Sequence, residues 1–179
     1  MKKFLVFALM IAVGVSMAVG STLKVPWYVD NADVGAGAPP ANGVLGLVTL
    51  TSNSTDEDPL ICSIEYFNNL GDPVGYVPAA GAGPDNTFAI APRSSLSFRP
   101  VADEAPGSAG ALQEGGQGQL VPNRGTDEDN PKKNGSIVIS WPGDPSLIQG
   151  AVSYVKGTNI GGSPVVVSYQ HLLPAGVGG

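Results

Sequence analysis

Glycine and proline interrupt this sequence so often that no long amphipathic helix fits into it. The 179 residues include 25 glycines and 16 prolines, about twice their combined share in average proteins. No stretch keeps an apolar period of 3.6 residues over three turns without meeting one of them. Because 42% of the residues are hydrophobic, the chain can still bury a core and does not have a disordered composition. The pattern predicts short strands separated by turns.

Alternation with a period of two residues supports this prediction. In Leu60–Phe67, Cys62, Ile64 and Tyr66 share one face, and Glu65 lies on the other, as a half-buried strand requires. Turn residues follow this segment, which predicts a β-hairpin with the next strand, 74–77. We expect the other strands at 25–29, 44–52, 87–91, 94–99, 136–141, 149–156 and 165–171.

About eight or nine short strands with turn-forming residues between them predict an all-β fold, an antiparallel β-sandwich of Ig-like or jelly-roll-like type. We expect a single domain over residues 19–179. Residues 101–133 are rich in Gly, Ala, Glu, Gln and Asp and have few large apolar side chains. Because loops of this length are usually functional or disordered, this segment is predicted to be a low-complexity insert of the sandwich.

The N-terminus has the layout of a secretory signal peptide over residues 1–18. A basic start, Met1 to Lys3, precedes an apolar run at 4–15 and small residues at 16–18, which is the order that signal peptidase substrates show. Cleavage is expected after Ala18, with Gly20 as the alternative. The run is shorter than the roughly 20 residues of a membrane span, so we expect an exported mature chain without a transmembrane span, periplasmic or at the cell surface.

Composition excludes several functional classes. One cysteine cannot form a disulfide within the chain, and one cysteine with one histidine cannot build a zinc finger. The net charge of −6, from 15 acidic and 9 basic residues, disfavours nucleic acid as a partner.

Two similar acidic clusters raise the question of calcium. Asp56 and Asp58 lie in a T-D-E-D segment that recurs around Asp127 and Asp129. Oxygen ligands on loops are what Ca²⁺ prefers, so these four aspartates are the candidate metal ligands. The alternative is a pair of solvated turns that keep strand edges apart. No other cofactor is expected.

The residues of known catalytic sets are sparse. Cys62 shares the apolar face of its strand, which predicts a small core residue, and His171 is the only histidine available as a base. A glycosidase pair would need Glu65 and a second carboxylate, for which the sequence offers Asp30, Glu104 and Glu114. We therefore expect a protein that is not an enzyme.

Seven Trp and Tyr residues could form a sugar-binding platform or pack within the sandwich. Packing is the interpretation that the strand pattern favours for most of them. The seven are Trp27, Tyr28, Tyr66, Tyr76, Trp141, Tyr154 and Tyr169.

The order of segments resembles a group of small bacterial β-sandwich proteins that includes the sensory-rhodopsin transducer. The matching segments are 27–28, 47–50, 64–67, 71–74, 90–92, 95–99, 135–139 and 150–152. The resemblance implies a non-enzymatic sandwich that binds partners or oligomerises. The export signal and the insert distinguish this chain from a cytoplasmic transducer, so no site residues are carried over from the group.

These observations predict a secreted structural or interaction module of the bacterial envelope or extracellular matrix, with self-assembly into a fibre as one form. Exposed edge strands, or a free N-terminal segment at 19–29, could add to a neighbouring sheet. The alternative function is a carbohydrate- or calcium-dependent binding module at the cell surface.

Overall fold

The computed structural model describes residues 20–32, 39–77, 86–100, 121–125, 134–160 and 163–177. The predicted signal peptide and most of the predicted insert therefore lie outside the described residues. The described strands are β1 (Gly20–Val29), β2 (Leu45–Ser52), β3 (Leu60–Phe67), β4 (Tyr76–Val77), β5 (Thr87–Ile90), β6 (Ser95–Phe98), β7 (Asn123–Arg124), β8 (Asn134–Pro142), β9 (Ile148–Ile160), β10 (Ser163–Leu173) and β11 (Ala175–Val177). A single 3₁₀ turn, Pro145–Leu147, precedes β9.

Nine of these strands form two antiparallel sheets. The five-stranded sheet has the order β11-β1-β8-β3-β5, and the four-stranded sheet has the order β10-β9-β2-β6. The short strands β4 and β7 pair separately. The predicted all-β antiparallel sandwich is confirmed.

The core lies between the inner faces of the two sheets. Alternate side chains of each strand point inward, as the period-two pattern predicts, so Leu23 and Val25 of β1 face the core with Ile137 and Ile139 of β8, all fully buried. The opposing sheet contributes Val48, Leu50, Leu96, Phe98 and Val152. Each fully buried side chain of this kind stabilises the fold by about 1.5–3 kcal/mol.

The predicted hairpin between Leu60–Phe67 and 74–77 forms only next to its turn, where the Val74 N–H donates to the Tyr66 carbonyl at 3.1 Å, and it does not continue to 76–77. After a turn closed by Asn68 N–H donating to the Asp72 carbonyl at 2.9 Å, the chain makes only an isolated bridge between Phe67 and Pro73. It then leaves β3, and Tyr76–Val77 pairs with Asn123–Arg124 instead. Proline has no N–H to continue the ladder, and β3 is already paired with β8 and β5.

The end of the predicted insert belongs to the fold. Residues 121–125 are buried, with Arg124 only 1% exposed. The Tyr66 hydroxyl donates to the Pro122 carbonyl at 2.8 Å. This part of 101–133 is therefore structural rather than a surface loop.

A buried ion pair ties the two sheets together beyond the ends of two strands. Asp30 follows β1, and Arg99 follows β6 in the other sheet. Arg99 donates from Nη2 to Asp30 Oδ1 at 2.7 Å and from Nε to Oδ2 at 2.9 Å. The Gly46 N–H of β2 donates to the same carboxylate at 3.2 Å. The arrangement is bidentate and buried, and charge-assisted hydrogen bonds of this kind are shorter and stronger than neutral ones.

Candidate functional site

A groove of about 970 Å³ lies between β1 and the β9–β10 hairpin. We call it the β1/β10 groove. Lys24, Pro26 and Trp27 of β1 line one side, and Tyr169 and His171 of β10 line the other. The remaining lining residues are Thr22, Val152, Tyr154, Leu172, Leu173, Pro174 and Ala175.

Strand topology explains why the sandwich is open at this place. Pro174 alone links β10 in one sheet to β11 in the other, so the two sheets meet there. β11 pairs with β1 only from Ser21 to Leu23. Beyond Leu23, no described strand pairs with β1 on that side, and β10 is the last strand of its sheet. Two open strand edges therefore flank the groove.

A bulge in β1 decides which aromatic ring enters the groove. The register against β8 shifts between Val25 and Tyr28, where Pro26 cannot donate to the ladder. Without the shift, the alternation that buries Leu23 and Val25 would turn Trp27 inward. Instead Tyr28 is fully buried and Trp27 is 48% exposed, so the indole is available at the groove.

Ring contacts fix the aromatic residues of the opposite side. Tyr154 and Tyr169 are direct cross-strand neighbours, and their rings stack at 4.8 Å between centroids. His171 packs edge-on against Tyr169 at 5.6 Å. The Tyr154 hydroxyl donates to the Trp27 carbonyl at 2.6 Å, which connects β9 to the bulged part of β1. Burial, and to a lesser degree Tyr169, raises the pKa of Tyr154 to about 12.

The groove contains one formal charge. Lys24 carries it, and the described lining residues include no Asp or Glu. No ion pair of Lys24 occurs within the part of the chain that the structure describes. In a protein with a net charge of −6, this is a local reversal of sign beside exposed aromatic rings.

The β10 edge is the second notable surface. Eight large hydrophobic side chains are exposed in the described residues, and half of them lie in this one strand. They are Val166, Val167, Tyr169 and Leu172, with Leu172 84% exposed. The 11 residues of β10 include no Asp, Glu, Lys or Arg, although charged residues are a common protection of sheet edges.

The calcium candidates are only partly described. Asp56 and Asp58 are exposed, and the Asp56 N–H donates to the Ser54 hydroxyl at 3.2 Å. Asp127 and Asp129 lie outside the described residues. Within the described ranges, no group of three or more His, Cys, Asp or Glu side chains could hold a metal ion.

The candidate carboxylates and the thiol are not brought together. Glu65 is exposed on β3, whereas Asp30 is fully buried and bound to Arg99, so Asp30 cannot flank a substrate with Glu65. Glu104 and Glu114 lie outside the described residues. Cys62 is buried in the core as predicted, and this burial raises the pKa of its thiol to about 12. It lies in the sheet opposite to that of His171.

The structure divides the seven aromatic candidates into three groups. Tyr28, Tyr66 and Trp141 are buried in the core, and Tyr76 lies in β4. The groove unites the others, Trp27, Tyr154 and Tyr169. The N-terminal segment expected to be a free donor strand is instead paired with β8 from Gly20 to Val29 and, at Ser21–Leu23, also with β11.

Comparisons with protein-family models, with curated proteins and with solved structures found no match. The resemblance to the sensory-rhodopsin-transducer group therefore stays a prediction. In the described ranges, no helix has the length and apolar character needed to cross a membrane.

Proposed function

We propose that this chain is an exported, non-enzymatic structural module that assembles with further copies through the open edge of β10. The observation that carries the proposal is an edge strand of 11 residues without Asp, Glu, Lys or Arg, in which four of the seven side chains described as exposed are large and hydrophobic. Export rests on the signal-peptide pattern of residues 1–18. The bacterial envelope or extracellular matrix is the setting that these features favour.

The physical reason lies in the backbone as much as in the side chains. β10 spans about 36 Å at about 3.3 Å per residue, and every second residue of an edge strand directs its N–H and C=O groups away from its own sheet. A strand from another molecule satisfies these groups by continuing the sheet. Val166 and Val167 lie on opposite faces of β10, and each is about half exposed. A strand added to this edge would cover part of both side chains.

The lack of charge permits contact between identical copies. A net charge of −6 per chain repels copies from each other in general, but β10 adds nothing to this repulsion. An antiparallel β10–β10 pair would join two four-stranded sheets into one of eight. Because β1 is already paired with β8 along its length, the N-terminal segment from Gly20 onward is not the donor strand in this proposal.

The test compares two lysine substitutions of equal exposure. We expect light scattering of the chain released from its signal peptide to show dimers or larger assemblies. Val166→Lys should abolish them because it places a charge at the sheet edge. Ile61→Lys is the matched control, since Ile61 is 53% exposed on β3, which has strand partners on both sides, and Val166 is 54% exposed. Assemblies that survive Val166→Lys, or a wild-type chain that stays monomeric at high concentration, would overturn the proposal.

A further inference from the structure

The β1/β10 groove has a chemistry that sheet-edge assembly does not use. Its exposed rings, Trp27 and Tyr169, lie on opposite sides of an open channel of about 970 Å³. Among its described lining residues, the only formal charge is the ammonium group of Lys24. Strand addition to β10 needs backbone groups and apolar cover, and it needs neither an indole nor a cation across the groove.

We propose that the β1/β10 groove binds an extended, carboxylate-bearing glycan, a polyuronate, with sugar rings against Trp27 and Tyr169 and a carboxylate group at Lys24. This inference goes beyond the proposed assembly, with which it shares Tyr169 and Leu172 of β10 but not Lys24 or Trp27. It names a ligand class for a surface that would otherwise be an unexplained exposed apolar patch.

The Tyr169 ring suits a pyranose because it is exposed and held in place, and Trp27 supplies a second exposed ring. Tyr169 is 53% exposed, yet it stacks on Tyr154 and is contacted edge-on by His171. Tyr154 is in turn hydrogen-bonded to the Trp27 carbonyl. The apolar C–H face of a sugar ring can cover an aromatic ring while its hydroxyls stay in water. Prior ordering of the Tyr169 ring reduces the entropy lost on binding.

The charge distribution selects an acidic glycan over a neutral one. Lys24 is exposed and lacks an ion pair in the described part of the chain, and no carboxylate of the described lining residues opposes an anionic ligand. Elsewhere the chain carries an excess of negative charge, which repels polyanions. Arg93 and Lys156 are also exposed, but among the described exposed basic residues Lys24 is the one that lines a groove with aromatic rings.

Calorimetry with three probes tests the proposal: a hexamer of galacturonic acid, the neutral hexamer of glucose with β-1,4 linkages, and an uncharged valine-rich peptide. We expect the uronate to bind tightest and its affinity to fall with added salt, since salt screens an exposed contact. Trp27→Ala and Tyr169→Ala should each weaken uronate binding about tenfold, the factor that about 1.4 kcal/mol supplies. Trp27→Tyr should keep most of the wild-type affinity for the uronate. Tyr76→Ala removes an exposed ring of β4 and should leave that affinity unchanged.

Lys24→Gln separates the charge from the rings. We expect it to bring uronate affinity down to that of the neutral hexamer without affecting the fold, because Lys24 is exposed. Equal binding of both hexamers by the wild type, binding of the peptide alone, or no binding of any probe would each overturn the proposal. Light scattering in the absence of glycan reports on assembly, and Val166→Lys leaves Lys24 and Trp27 unchanged, so failure of one proposal is distinguishable from failure of the other.

Discussion

Removing the arginine of the buried ion pair should cost this protein a large part of its stability. In Arg99→Met the Asp30 carboxylate, which is fully buried, loses both guanidinium hydrogen bonds and keeps the Gly46 N–H. Breaking one partner of a buried pair costs about 3–5 kcal/mol, since the other charge is left without compensation. Domains of this kind have about 5–15 kcal/mol in total.

Urea denaturation followed by circular dichroism measures this loss. With a slope of about 2 kcal/mol per molar urea, the expected midpoint shift is about 2 M. Lys156→Met is the surface control, because Lys156 is exposed, and it should stay within about 0.5 kcal/mol of the wild type.

A double replacement tests the cause. Asp30→Leu combined with Arg99→Met removes both charges, so it should recover most of the stability that Arg99→Met loses. If Arg99→Met costs less than about 1 kcal/mol, far below the range for a dry pair, the reasoning is refuted. The same holds if the double variant is no more stable than the single one.

Three further predictions follow from burial and close contact. The Cys62 thiol, with its pKa raised to about 12 by burial, should resist a thiol reagent at pH 8 in the native protein and react after unfolding in urea. Burial also raises the pKa values of Tyr28 and Tyr154 to about 12 from the ordinary tyrosine value of 10.0. Their contribution to stability is therefore complete below pH 10 and is lost between about pH 10 and 12. Alkaline unfolding followed by tyrosinate absorbance measures this loss. Ionisation of all tyrosines near pH 10 without unfolding would contradict the prediction. Gly46→Ala would place a Cβ 2.5 Å from the Val29 carbonyl oxygen. We therefore expect the free energy of unfolding to fall by about 1–3 kcal/mol from overpacking. A midpoint in urea equal to that of the wild type would disprove this close contact.

The sequence was sufficient to predict the class of fold and the position of most strands. Leu60–Phe67 was predicted with its observed bounds, and its inward face, with Cys62, Ile64 and Tyr66, is buried in the structure. The alternation of side chains along a strand is a local property of an extended backbone, so it can be read without knowing which strands are neighbours.

The aromatic residues of the groove were named from the sequence but not separated from those of the core. Pro26 was the one local signal available, because a proline inside a strand marks an edge or a bulge. The register shift that it accompanies turns Trp27 outward and Tyr28 inward. Which ring is exposed depends on pairing with β8, more than 100 residues away along the chain.

Sequence by itself determined that this chain forms strands and that one face of each is buried, and its N-terminal pattern predicts export. Tertiary structure alone decided that Tyr76–Val77 pairs with Asn123–Arg124, that Asp30 binds Arg99, and that β1 and β10 leave a groove between them. The physical reason is range. Alternation and turn chemistry act over a few residues, whereas strand pairing and a buried ion pair depend on segments that meet only when the whole sandwich closes.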